Sequence, residues 1–272
     1  MPDADAGVLA GQALAGGMAN AGKVVLLGDA VHRPVGPHTA TVHALLDHLA
    51  AVGFTGSPRV RGYTDGRSVL DFVPGEVGLP PYPAWTATTE VLTSVARLQR
   101  ALHDATRSFV VPADAVWDRT LSPQARLEPG ADVVVGHNDL CVENVVARDG
   151  RAVAFIDFDF AAPTDALWDV AIAARHWVPA WAPVDLTDGR VGVDQVARFA
   201  AYCDAYGDLD TSARGRVVEH LLAFLDRALG QVAERAAAGR AGYVEVWEAG
   251  YEARNRRAHA WVDVNQDALA AA

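Results

Sequence analysis

The block from His137 to Asp157 constrains this chain most, because two apolar runs there flank one short polar loop. It reads His137-Asn138-Asp139-Leu140-Cys141-Val142-Glu143-Asn144-Val145-Val146, then the turn Arg148-Asp149-Gly150, then Ala154-Phe155-Ile156-Asp157-Phe158-Asp159. Short apolar runs bounded by polar turns read as buried strands. A His-x-Asp-x-x-x-x-Asn loop between such strands, followed by a strand ending in a carboxylate, puts Asp139, Asn144 and Asp157 where a loop can aim them at one point. Each of the three alone reads equally well as a turn residue or strand cap. Their joint spacing suits phosphoryl transfer from a nucleotide. One carboxylate orients a hydroxyl and takes its proton, while an amide and a second carboxylate hold Mg2+ against the phosphates.

At these residues, and at Ile156-Asp157-Phe158-Asp159-Phe160-Ala161-Ala162-Pro163 followed by Leu167-Trp168-Asp169-Val170-Ala171, the chain resembles the aminoglycoside phosphotransferase family. Weaker similarity runs from about Val24 to Trp261. The resemblance implies an α+β, two-lobed protein-kinase-like fold with a small antiparallel-sheet N-lobe and a larger, mainly helical C-lobe. It implies Asp139 as catalytic base, Asn144 and Asp157 as metal ligands, Asp169 as the structural aspartate that braces the catalytic loop, and ATP or GTP with Mg2+ as cofactors. Two positions depart from the family pattern: Asn138 stands where a glycine is common, and Cys141-Val142-Glu143 is an unusual loop interior.

Composition frames this expectation. A chain of 272 residues, about half of them apolar, can bury a real core and divide into one large or two modest domains. The formal net charge of −11 disfavours nucleic acid or an anionic membrane as partner and favours a cationic small-molecule hydroxyl acceptor. Cys141 and Cys203 are too few for a disulfide framework and lack metal-site spacing. There is no apolar run long enough to span a bilayer, so the cytoplasm is the expected compartment, with a monomer or homodimer both open.

Residues 1–75 are expected to form the nucleotide-binding lobe and 76–272 the catalytic and acceptor-binding lobe. Gly11, Gly16 and Gly17 precede the apolar run Val24 to Leu27, and they read either as a loose phosphate loop or as simple turns. Lys23 is the only lysine and falls too early to hold the inner phosphates, so Arg33 at the end of the next strand is the expected cation. The helix expected over Thr39 to Val52 carries no glutamate to orient that cation, which leaves His43 or Asp47 for the task. The run Val69 to Glu76 resembles the family's hinge, where Asp71 and Val73 would meet a purine base through their backbone.

In the second lobe helices are expected over Trp85 to His103, Thr164 to Val178, Gly192 to Tyr206, Thr211 to Ala238 and the amphipathic stretch Gly242 to Leu269. His137 reads as a brace for the loop, since Asp139 fills the base role. A cationic acceptor would draw Asp159, Glu248 and Glu252 around the cleft. The resemblance makes an aminoglycoside-like antibiotic the leading acceptor; a non-antibiotic metabolite stays open because the fold does not specify the acceptor, and the missing helix glutamate, strand lysine and full glycine loop keep a catalytically weak nucleotide-binding pseudokinase that regulates a partner in view.

Overall fold

A computed structural model of the chain describes residues 11–14, 23–122, 131–207 and 209–272. Gly16 and Gly17 lie outside them. The chain forms the expected two-lobed, protein-kinase-like α+β fold.

The first lobe is an antiparallel sheet in the order β1-β2-β3-β5-β4, built from β1 (Gln12–Ala13), β2 (Val25–Leu27), β3 (Ala30–Pro34), β4 (Val60–Thr64) and β5 (Arg67–Asp71). The β4–β5 hairpin turns at Asp65 and Gly66, both with positive φ, the backbone that a two-residue hairpin loop requires. Helix α1 (Thr39–Ala51) packs beside this sheet and buries the stripe Val42, Leu45, Leu46 and Leu49, and the chain leaves it through Gly53 at φ +82°.

After β5 the chain crosses between the lobes. Its strand ends at Asp71, two residues sooner than the apolar pattern suggests, where the partner strand turns away at Gly28 and Asp29 and one last bond runs from Phe72 N–H to Asp29 O (2.9 Å). Gly75 then lies so close to the backbone of residues 146 and 147 that a Cβ would meet Val146 Cγ1 at 2.4 Å and Ala147 O at 2.6 Å. The short strand β6 (Glu76–Val77) joins β8 (Val145–Arg148) and β9 (Arg151–Phe155) in a second sheet. Strand β7 (Val133–Gly136) pairs with β10 (Ala162–Asp165), which brings the two ends of the catalytic segment side by side.

Four helices of the second lobe begin where the sequence supplies capping oxygens. Thr88 accepts from Val91 N at the start of α2 (Thr89–Thr106), Asp165 from Leu167 N at α3 (Ala166–Trp177), Asp194 from Ala197 N at α4 (Gln195–Tyr206), and Asp210 from Ala213 N at α5 (Thr211–Ala237). Residues 84–87 form a separate 3-10 turn ahead of α2, so that helix starts later than the expected Trp85. The last amphipathic stretch is two helices, α6 (Ala241–Glu248) and α7 (Tyr251–Ala271), divided at Gly250, whose φ of +84° ends one and redirects the other. One continuous core links Leu45 and Leu49 of α1 with Val95 and Leu102 of α2, Val170 and Ala174 of α3, and Leu221 and Leu225 of α5.

Candidate active site

The catalytic loop leaves β7 with Gly136, where any side chain would collide: a Cβ there would lie 2.7 Å from Thr164 Cγ2 and 3.0 Å from Asp169 Cβ. Asn138 follows at φ +60°, in the left-handed region that asparagine tolerates better than other residues with a Cβ. This explains how it replaces glycine. Its side chain adds what glycine cannot, since Nδ2 lies 3.1 Å from Phe160 O and 3.3 Å from both Gly136 O and Ala162 O. The loop is thereby tied to the segment that follows Asp157.

Asp169 lies beneath the loop and is fully buried. Its Oδ1 accepts from the Asn138 backbone N–H at 2.5 Å, and its Oδ2 accepts from Gln99 Nε2 (2.9 Å) and His103 Nε2 (2.8 Å). A carboxylate only accepts, so His103 carries its proton on Nε2. Its Nδ1 meets the Tyr206 hydroxyl at 2.8 Å, and Tyr202 donates to Gln99 Oε1 at 2.6 Å. Helices α2, α3 and α4 thus converge on one buried carboxylate. Burial pushes the Asp169 carboxyl up, but the His103 hydrogen bond and charge and the Gln99 amide outweigh it and hold the group below its ordinary value. Gln99, His103, Tyr202 and Tyr206 are absent from the sequence-based site.

His137 is fully buried and donates Nε2–H to Ile156 O at 2.9 Å, with its ring 4.6 Å from that of Phe158. Burial pushes its pKa down, which keeps the imidazole neutral and suits a brace. Next to it, Asn144 Nδ2 donates to Asp139 O (2.8 Å) and Asp139 Oδ2 (3.0 Å), while Ile156 N–H donates to Asn144 O (2.9 Å). Burial and the nearby charge of Asp157 drive the Asp139 carboxyl well above its ordinary range, against the opposing amide of Asn144. Asp157 sits at φ +65° at the end of its strand. Asp139, Asn144 and Asp157 therefore gather in one place, as their spacing suggests.

Asn144 and Asp157 also line a cavity of about 300 Å³ between the lobes. Its walls are apolar, with Val24, Val31, Leu70, Val77, Val146 and Ile156, and its rim includes Arg33, Asp71 and Val73. Asp71 is bound on both sides: its N–H donates to Arg59 O (2.8 Å) and its carboxylate accepts from Arg61 Nε (2.5 Å). Its amide is therefore already used, and any contact with a base falls to its carbonyl.

Arg33 faces this cavity, but His43 and Asp47 do not orient it. Its Nη2 donates to Asp157 Oδ1 (2.6 Å) and Asp159 Oδ2 (2.7 Å). Burial lowers the Arg33 pKa, yet the two carboxylate charges outweigh that and raise it. His43 instead bonds Ser68 Oγ at 2.7 Å and stacks on Tyr63 with ring centres 4.8 Å apart. It does not line the 300 Å³ cavity, because its ring turns toward the sheet.

Two of the three carboxylates expected to receive a cationic acceptor are engaged within the protein. Asp159 is taken by Arg33, with His38 Nε2 at 3.7 Å. Glu252 pairs with Arg256 one turn along α7 (2.8 Å), and Glu248 is exposed at the end of α6. Among the described residues no three His, Cys, Asp or Glu side chains form a metal cage, and none is long and apolar enough as a helix to cross a membrane. An amide and one carboxylate fit a hard cation whose remaining ligands are phosphates and water. Asn144 turns its nitrogen toward Asp139, which directs its oxygen the other way, and Asp157 shares the same cavity.

The model of a family described as phosphotransferase enzyme family matches residues 110–215. A trifolitoxin immunity protein of Rhizobium leguminosarum bv. trifolii is 35% identical over 217 residues, 77% of this chain and 79% of the relative. Among solved structures, a choline/ethanolamine kinase family protein from Mesorhizobium loti superposes with a TM-score of 0.63 at 18% identity, covering 91% of this chain and 88% of that one. An amicoumacin kinase in complex with AMP-PNP and Ca2+ gives 0.57 at 13% identity, covering 78% and 81%. The two solved structures carry the fold, and the immunity protein and the family model carry the kinship. The chain therefore belongs to the phosphotransferase enzyme family, the aminoglycoside phosphotransferase family in the broad sense, and is a phosphotransferase with an alcohol group as acceptor.

Proposed function

We propose that this enzyme transfers the γ-phosphoryl group of ATP or GTP to a hydroxyl of a small molecule in a Mg2+-dependent reaction. Residues 1–75 serve the nucleotide, and residues 76–272 serve catalysis and the acceptor. The observation that carries this reading is that Asn144 holds Asp139 by a 3.0 Å bond while lining the same cavity as Asp157 and Arg33. Asp139 accepts the hydroxyl proton as the oxygen attacks. The Asn144 amide holds that carboxylate in place, and a metal at Asp157 would relieve part of the negative field around it. Asn144 and Asp157 would hold the metal, which would supply charge neutralisation on the transferring phosphoryl group. Arg33 presents its remaining N–H groups to phosphate oxygens, and the Val73 backbone, with Asp71 beside it, flanks the base. The charges on Arg33 and Asp157 keep both groups ready at the cavity wall in the absence of nucleotide.

The acceptor class rests on kinship. A toxin-immunity relative and an amicoumacin kinase of the same fold favour an antibiotic-type natural product acted on in the cytoplasm. A polycationic aminoglycoside would have to compete with Arg33 for Asp159 and with Arg256 for Glu252. The test is a nucleotide-turnover screen of purified protein over peptide antibiotics, aminoglycosides and metabolic alcohols, with product mass spectrometry. Acceptor-dependent release of nucleoside diphosphate with a phosphorylated product is expected. Release of free phosphate with no phosphorylated acceptor would overturn the reading.

A further inference from the structure

Arg175, Arg190 and Arg254 lie close enough that the charges of the last two act on the first, Arg190 reaches the catalytic loop through Tyr82, and none of the three is ion-paired among the described residues. Arg175, in the last turn of α3, is 3% exposed, and its guanidinium lies 3.3 Å from the ring centre of Trp181, with Nη1 3.3 Å from Ala180 O. Arg190 lies over the Tyr82 ring at 3.9 Å, and Tyr82 in turn donates its hydroxyl to Glu143 Oε1 (2.7 Å) in the catalytic loop. Two residues beyond Arg175, Trp177 Nε1 donates to Leu140 O (3.1 Å), next to Asp139. The Nε atoms of Arg190 and Arg254 are buried without a hydrogen-bond partner, and none of the three arginines forms an ion pair among the described residues. Asp185 is within reach of Arg175 but is held by Arg257 through both oxygens, at 2.6 and 2.8 Å.

This arrangement is costly on its own. Burial lowers the pKa of Arg175 to about 9, and the charges of Arg190 and Arg254 push it in the same direction. His176 is pushed down to about 3 by burial and by Arg175 and Arg190. Buried charges are ordinarily paired. The acids nearby are engaged elsewhere, Asp185 by Arg257 and Glu143 by the Tyr82 hydroxyl, and none pairs with the three arginines. Planar guanidiniums over aromatic rings, with unused donors, match a carboxylate or phosphate oxyanion. None of the three lines the nucleotide cavity, so the ligand is not the nucleotide's own phosphates.

We propose that Arg175, Arg190 and Arg254 form a receptor for an oxyanion carried by the acceptor, so that the natural substrate is a hydroxyl compound bearing an acidic group. This assignment rests on the phosphotransferase reading for its position in the reaction, and the test separates the two. The protein, saturated with AMP-PNP and Mg2+, is titrated by thermal shift and calorimetry with matched pairs: N-acetylserine against N-acetylserinamide, and glycerol 1-phosphate against glycerol. The anionic member of at least one pair is expected to bind more tightly, and the pair that responds identifies carboxylate or phosphate. The variants Arg190→Gln and Arg254→Gln, at less deeply buried positions than Arg175, are expected to weaken that binding about 10- to 100-fold, as losing hydrogen bonds to a charged group does. An Arg254→Lys variant should recover part of it, and nucleotide affinity reports that each variant is folded. Equal binding of charged and neutral members, or a preference that survives both glutamine variants, would overturn the receptor. Acceptors that turn over without regard to charge would leave phosphotransfer standing and remove only the receptor. Anion binding without turnover of any acceptor would do the reverse.

Discussion

Beneath the catalytic loop, Asp169 is withdrawn from solvent with each oxygen engaged by the Asn138 backbone or by Gln99 and His103. At the rim of the same loop, the Asp157 side chain is 32% exposed and shares Arg33 with Asp159. The buried region uses neutral and charged donors matched to one carboxylate, and its cost is met within the fold. The rim holds one cation between two acids, an arrangement that phosphate and metal can rearrange because water already reaches it. Position and reactivity are thus assigned to different residues. Substitutions at the rim should remove chemistry and leave the fold, whereas substitutions beneath the loop should loosen the fold and only then the chemistry.

The largest effect belongs to Asp157. Asp157→Asn removes the single carboxylate offered to the metal while Asp159 retains Arg33. Turnover should fall below detection and the response to added Mn2+ or Mg2+ should vanish, with the melting temperature close to that of the parent. Calorimetric metal titration in the presence of AMP-PNP measures it; unchanged metal affinity would break the assignment. Asp139→Asn comes next. It keeps the loop's shape, since Asn144 still finds the backbone carbonyl of residue 139 (2.8 Å in the parent), but removes the base. Turnover should drop roughly a hundredfold or more while nucleotide KM holds, as expected for losing a positioned proton acceptor. A drop in stability comparable to that of an Asp169 variant would erase the distinction between the two regions.

The rim was legible in the sequence, and the brace beneath it only in part, for a physical reason. Asp139, Asn144 and Asp157 lie together because strand and loop lengths fix them within one contiguous block, so their spacing carries the message. Asp169 was legible through the same family pattern. Its partners come from α2, 70 and 66 residues away, and the tyrosines that support them are 103 residues from those partners. Only packing unites them. A signal did exist: Gln99 and His103 interrupt the buried stripe Val91, Val95, Leu102 of α2 at helical spacing, and a polar residue on a core face demands a buried partner. Arg33 was legible as a cation, but the identity of its partners was not, because α1 offers His43 to Ser68 and the carboxylates arrive from the other lobe.

Below the loop the expected effects are on stability first. Asp169→Ala strands His103 and Gln99 in the core and should destabilise by about 3–5 kcal/mol, the usual cost of removing one member of a buried charged group. Denaturant unfolding checks this, and a loss under 1 kcal/mol would show that the brace carries little. The same carboxyl gives a pH dependence with a definite sign. Its folded-state pKa lies below the unfolded value, so its contribution is fully present above about pH 4 and disappears as pH falls through the depressed folded-state value. Asp169→Asn should flatten that acid limb of stability against pH; an acid limb identical to the parent's would assign it to other carboxylates.

The finest comparison is at Asn138, which belongs to both regions: its backbone bonds Asp169, and its side chain reaches Phe160 O and Ala162 O behind Asp157. Two substitutions separate these contributions. Asn138→Gly keeps the left-handed backbone available and loses only the side-chain bonds, for a cost of about 1 kcal/mol. Asn138→Ala loses the same bonds but keeps a Cβ at φ +60° without the polar side chain that lets asparagine tolerate that backbone, and should lie about 1–2 kcal/mol below the glycine variant. The alanine variant should therefore be the less stable of the two although alanine is otherwise the more favourable residue. If the strain is relieved by a shift of the loop, the shift moves Asp139, which follows directly, and turnover of the alanine variant falls further than its stability predicts. Equal stability and equal turnover in the two variants would mean that the left-handed backbone at residue 138 is not held by the surrounding fold, and that the separation of position from reactivity fails at the one residue that joins them.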